Sequence, residues 1–194
     1  MNKQPLRATL FTLALFLLSA AAPAAAQVCN VTPNGTTEGT DWANATTLQA
    51  ALSNTACATI RIKQGTYNGG FSFGRRLVMS GGYTGVGDSK VNDPSHTILN
   101  GGGPVLGING ITYDNGQDYG ARAYLGPDTV VSDLTIQNGN IVGGTNGGGA
   151  GVRCNGSGSS HCRLTFRNVV FKNNSTNQSG GAVWLFAFNG GNTS

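Results

Sequence analysis

Val131-Ser132-Asp133-Leu134-Thr135-Ile136-Gln137-Asn138-Gly139 returns further on as Phe166-Arg167-Asn168-Val169-Val170-Phe171-Lys172-Asn173-Asn174. The alignment pairs Asp133 with Asn168, an offset of 35 (168 − 133). Downstream, Gly148-Gly149-Ala150-Gly151-Val152 matches Gly180-Gly181-Ala182-Val183 at an offset of 32 (180 − 148). Periods in this range mark repeat architectures. The residue types fit stacked coils. In a parallel β-solenoid, equivalent positions of successive coils lie about 4.8 Å apart. Leu134 and Val169, and Ile136 and Phe171, then form apolar columns. Asn138 and Asn173 follow the strands, where the chain turns. Asparagine tolerates left-handed dihedrals there, and its amide can bond its counterpart in the next coil. Glycines at 148–149 and 180–181 allow backbone angles closed to other residues. Ala150 and Ala182 let the next sheet start close to the axis.

The composition agrees. Charged residues make up 10% of the chain, against roughly 25% in an average soluble protein. Glycine accounts for 31 of the 194 residues. Runs such as Thr59-Ile60-Arg61-Ile62 and Val169-Val170-Phe171 argue for short strands joined by glycine-rich turns rather than disorder.

Towards the N-terminus, Asp41 to Ser53 reads as a helix. Asp41 caps it, and Trp42, Ala45, Leu48 and Leu52 form its apolar face. Val28 to Glu38 reads as a polar coil. A helix before a run of strands suits a solenoid cap, because the first strand's edge needs covering. The predicted fold is all-β: a right-handed parallel β-helix with a short N-terminal capping helix.

The first residues decide the compartment. Lys3 and Arg7 precede the apolar run Ala8–Ala22, and Pro23-Ala24-Ala25-Ala26 follows. That order describes a secretory signal peptide cleaved after Ala26. The expected organisation is a signal peptide (1–26), a lead with the capping helix (27–58) and β-helix rungs (59–194). The last residues show no cap, so the array reads as a truncated one, incomplete at its C-terminus. Cleavage removes two of the 12 basic residues and none of the 8 acidic ones, leaving about +2. That charge is too small to argue for nucleic acid. No further apolar run is long enough for a transmembrane helix. Cys29, Cys57, Cys154 and Cys162 all lie in the exported part, an even count that fits disulfides. Four cysteines allow three pairings; Cys29–Cys57 and Cys154–Cys162 are favoured because each closes a local loop.

Phe171-Lys172-Asn173-Asn174 fits F-x-x-N, and Gly180-Gly181-Ala182-Val183 fits G-G-A-[I/L/V]. This order resembles the repeat of polymorphic outer membrane proteins, within the broader right-handed β-helix or pectin-lyase-like group. The motif residues are Phe171, Asn174, Gly180, Gly181, Ala182 and Val183. The resemblance implies a secreted or cell-surface protein, at the outer membrane or outside the cell. Its expected role is adhesion, binding of a surface glycan or of a host or neighbour-cell protein, or envelope structure. The alternative is the N-terminal part of a pectate-lyase-like, polysaccharide-active enzyme.

No catalytic set emerges from the residues. A glycosidase needs two carboxyls across one sugar bond, and the mature chain has one glutamate, Glu38, with its aspartates scattered. Asp114 and Asp118 flank a turn that can hold Ca²⁺, and Arg122 is the nearby base a lyase would use. These three are weak binding candidates, and a solvated turn is the simpler reading. His96, after the turn Asp93-Pro94-Ser95, reads as a loop residue rather than a base, His161 has no visible partner, and Arg75-Arg76 reads as a solvated rim. No metal site and no cofactor other than that Ca²⁺ is expected.

Overall fold

A computed structural model describes residues 26–102, 104–109, 111–112, 129–142, 148–157 and 160–188. The signal peptide expected at 1–26 lies almost wholly outside them. In chain order the elements begin with β1 (Gln27–Val31), α1 (Leu48–Ser53), β2 (Cys57–Lys63), β3 (Gly65–Asn68), β4 (Phe71–Phe73), β5 (Val78–Tyr83), β6 (Thr97–Asn100) and β7 (Leu106–Asn109). They continue with β8 (Ile111–Thr112), β9 (Thr129–Gln137), β10 (Asn140–Ile141), β11 (Val152–Ser157), β12 (Ser160–His161), β13 (Leu164–Lys172), β14 (Ser175–Thr176) and β15 (Val183–Phe188).

These strands wind into a parallel β-solenoid with three walls. The first wall stacks β1, β2, β5 and the first halves of β9 and β13. The second stacks β3, β6 and the second halves of β9 and β13. The third runs β4, β7, β11, β15. All pairs in these walls are parallel; β8 and β12 form a small antiparallel pair at the side.

The repeat offset of 35 is the physical register: Leu134 pairs with Val169, and Ile136 with Phe171. The second match shifts by one residue. Val152 pairs with Val183, an offset of 31 (183 − 152). Gly149, not Gly148, is the counterpart of Gly180: the two share left-handed φ values of 84° and 71°, and Gly149 N–H donates to the Gly180 carbonyl at 2.7 Å. In that register Ala150 stands opposite Gly181 and Gly151 opposite Ala182, so matching alanine to alanine in the sequence gives an offset one too large.

Inside, Ile60, Met79 and Val131 line the first wall, Tyr67, Leu99 and Ile136 the second, and Leu106, Ile108 and Val152 the third, all buried. In the last described coil, Leu164, Phe166, Val169, Phe171, Val183 and Leu185 pack against that core but are only half-buried. Trp184 and Phe186 alternate with Leu185 and stand on the outer face of the third wall.

Asn138 and Asn173 adopt the expected left-handed turn, with φ of 59° and 54°. The amide ladder runs from Asn138 towards the N-terminal coils: Asn138 donates to Asn100 at 2.7 Å, and Asn100 to Asn68 at 2.8 Å.

The N-terminal lead departs from expectation. Val28 to Val31 do not form coil; they add β1 to the first wall. The helix spans only Leu48–Ser53, capped by Thr47, whose hydroxyl accepts from Ala50 N–H. Asp41 instead closes a turn onto Asn44 N–H at 2.7 Å. The reason is competition for backbone groups. The Thr46 backbone donates to the Asn30 carbonyl and accepts from Thr32 N–H, a single bridge to β1 that takes up its hydrogen bonds, so the helix starts only after Thr46.

The short helix still acts as a cap. Gln49 accepts from Ser72 N–H at 2.9 Å and donates to the Ser72 carbonyl at 3.0 Å, pairing the edge of β4 as a neighbouring strand would. Arg75 is not a solvated rim residue. Its guanidinium donates to the carbonyls of Ala51, Leu52 and Cys57, closing the helix's C-terminal end. Both favoured disulfides form, Cys29–Cys57 and Cys154–Cys162, with Cα separations of 5.5 and 5.9 Å.

Candidate binding face

The outer surface of a solenoid wall is set by alternation. On the third wall, Phe71, Phe73, Leu106, Ile108, Val152 and Cys154 point inward and are buried. The register then places Ser72, Gly107, Arg153 and Trp184 in one outward row across the four strands. Asn155 and Phe186 stand in the next outward row.

Glycine at 107 leaves a notch between Ser72 and Arg153. A trough of about 540 Å³ opens there, bordered by Ser72, Gly102, Pro104, Gly107, Arg153 and Asn155 among others. Beside it, the Arg153 guanidinium lies 5.4 Å from the centre of the Trp184 ring. That distance suits a cation–π contact, which holds the charge in place. Trp184 and Phe186 stack with centroids 5.0 Å apart and planes 4° from parallel. Phe186 is 42% exposed. The four strands of this wall carry Arg153 and no Asp or Glu. The face therefore offers a cation, an amide, a hydroxyl and an aromatic pair beside a groove.

A second polar cluster sits where the first wall bends into the second. Lys90 Nζ donates to Asp133 Oδ2 at 2.5 Å and to Ser80 Oγ at 2.6 Å. Ser132 donates to Ser80 at 3.0 Å, and Asn168 to Asp133 Oδ1 at 2.9 Å. Burial works against the charge on Asp133, but the hydrogen bonds from Lys90, Asn168 and Ser132 and the Lys90 charge outweigh it and hold the carboxyl below its ordinary value. Lys90 thus bridges the Asp133 carboxylate and the Ser80 hydroxyl. It clamps the corner. Nearby, Tyr83 packs against Trp42 at 5.7 Å between Arg61 and Lys90.

Asp114, Asp118 and Arg122 lie outside the described residues. Among the described residues no group of three or more His, Cys, Asp or Glu side chains gathers at one point. The motif residues are structural. Asn174 accepts from Gly139 N–H at 2.9 Å and donates to the Ile136 carbonyl at 2.9 Å, tying two coils together. Phe171 extends the Ile136 column, and Gly180 takes a left-handed turn. Sequence reading missed Arg153, Ser72 and Gly107 altogether. Their only signal was position relative to inward residues, and that needed the register.

The fold defines the class: a disulfide-bonded parallel β-solenoid with a helical cap. No family model matches the chain, and neither a curated protein nor a solved structure matches it.

Proposed function

We propose that this protein is exported and works at the cell surface or outside the cell as a non-enzymatic β-helix binding module. The observation that carries this reading is the outward Arg153–Trp184–Phe186 group beside a groove on a rigid wall. Exposed aromatics with a fixed cation are the usual furniture of recognition surfaces. The two disulfides support an oxidising compartment, and the Lys3–Ala26 segment supports export. The F-x-x-N and G-G-A-V elements support kinship with polymorphic-outer-membrane-type rungs. They explain turns and stacking, which leaves function to the outer surface.

The polysaccharide-lyase reading rests on Asp114, Asp118 and Arg122, and no described residue adds to it. Among the described carboxyls, Asp88 pairs with Arg61, Asp133 with Lys90, and Asp41 and Asp93 close local turns; none borders the trough. The test is attachment of the labelled mature protein to cells of the native community, with gene deletion in parallel. Attachment, and weaker adhesion of the deletion strain, are expected. Absence of attachment together with unchanged adhesion contradicts the proposal.

A further inference from the structure

We propose that residues 84–96, which leave the solenoid between β5 and β6, form an acid-released strap. They lie over the corner of the first and second walls at neutral pH and lift from it in acid, while the coils beneath stay folded. This goes beyond the surface-binding reading and does not depend on it.

The segment first turns back on itself, and Val91 N–H donates to the Gly82 carbonyl at 2.9 Å. It then crosses neighbouring coils. Lys90 reaches Ser80 on β5 and Asp133 on β9. The Asn92 carbonyl accepts from Asn168 on β13 at 3.1 Å, and the Pro94 carbonyl from the Thr135 hydroxyl at 2.9 Å. Strand alternation points Ser80 and Thr135 outward, yet both are buried, because the segment covers them.

Carboxylates fasten it. Asp133 holds Lys90, Asp88 on the segment holds Arg61, and Asp93 faces His96 at 3.8 Å in the segment's own last turn. Asp88 and Asp93 are exposed and add little each. The Lys90–Asp133 pair is the shielded one, its side chains 23% and 13% exposed. On the cap side, Asp41 braces the turn that carries Trp42, whose indole donates to the Gly87 carbonyl at 2.7 Å. The other charges around the segment are cations. The Lys63 side chain lies against Gly85, and Arg167 on β13 pairs in register with Ser132. Lys90 and Arg61 flank one ring, Tyr83, at 5.5 and 5.6 Å, and their carboxylates offset that crowding of charge.

Acid removes the balance. Burial opposes the charge on Asp133, but its bonds from Lys90, Asn168 and Ser132 and the Lys90 charge hold the carboxyl below its ordinary value of 3.8. Bonds from Ser95 lower Asp93, and bonds from Asn44 lower Asp41. A lowered carboxyl contributes fully above its ordinary value and loses that contribution as pH falls through the lowered one. Protonation then leaves Arg61, Lys63, Lys90, His96 and Arg167 around the segment without an anion. A shielded ammonium that has lost its partner is costly. Lys90 regains water by leaving the corner, and the segment leaves with it. The walls beneath are held by backbone pairing and an apolar core, which protonation does not touch.

Amide hydrogen exchange of the disulfide-bonded protein tests this, at neutral pH and below pH 3.8, read as protection relative to an unstructured chain at the same pH. The hydrogen-bonded N–H groups of Thr84, Ser89, Val91 and His96 report on the segment, and β7, β9 and β11 report on the walls. Protection over residues 84–96 should fall about tenfold or more in acid while that of the walls holds. Asp133→Asn imitates the protonated carboxyl and tolerates the left-handed corner, so it should show the low protection already at neutral pH. Its wall amides verify folding, and the parent's own profile decides the matter if that variant does not fold. Unchanged protection of residues 84–96 in the parent overturns the proposal. Loss over segment and walls together overturns it too, because the segment then has no opening of its own. A folded Asp133→Asn variant with the parent's profile at both pH values overturns the fastening by Asp133.

Discussion

Asn168 donates its side-chain amide to the carboxylate of Asp133, 2.9 Å away in the preceding coil, and both residues hold left-handed backbones, with φ of 52° and 55°. They are equivalent positions of the repeat and form the corner at which one long strand turns from the first wall into the second. Alanine at 168 should lose the amide bonds and resist the left-handed angle, costing about 1–2 kcal/mol. Glycine should cost less, because it adopts that angle freely. Urea denaturation of Asn168→Ala and Asn168→Gly checks the order.

The same corner should make stability sensitive to acid. The Asp133 carboxyl is held below its ordinary value of 3.8, so its contribution is complete above that value. As pH falls through its lowered folded-state value, protonation removes the contribution. Asp133→Asn should flatten the acid limb of the melting-temperature profile below pH 3.8 relative to the parent, and the difference isolates this group from other carboxyls. Superimposable limbs would show that the Lys90 clamp adds nothing.

Arg75 bonds three carbonyls at the end of the capping helix. Arg75→Ala should lower stability by about 1–3 kcal/mol, the range for removing hydrogen bonds from a charged donor. Arg75→Lys, which keeps the charge but loses the forked donor geometry, should recover only part of that loss. Thermal melting of the two variants side by side makes the comparison.

The disulfides should differ in weight. Cys29–Cys57 closes a sequence separation of 28, and Cys154–Cys162 one of 8. Loop-closure entropy gives about 3.6 kcal/mol for the first and about 2.6 kcal/mol for the second. Denaturation of the two paired Cys→Ser variants should reproduce that ranking.

The walls were legible where one coil repeats another closely. The offset of 35, the asparagine turns and both disulfides follow from local pattern, because stacked coils place like residues together. The corner at Asp133 was hidden, since Val131 to Ile136 reads as one unbroken strand and only a left-handed residue in its midst bends it. The helix start was misplaced because Thr46 is recruited by Asn30 and Thr32, a tertiary event that local periodicity does not register. Strand β1 was missed for a related reason: Val28 to Val31 become a strand by pairing with β2. The binding face was least legible. Arg153 and Trp184 lie 31 residues apart (184 − 153) and meet through a register one residue away from the one the glycine-alanine runs suggest.

Export of a disulfide-closed solenoid is tested by intact-mass spectrometry of the protein from its native cell, with and without thiol alkylation. The expected chain begins at Gln27 and takes up alkylating label only after reduction, at four cysteines. A chain that retains Met1 and labels at all four cysteines without reduction would contradict it.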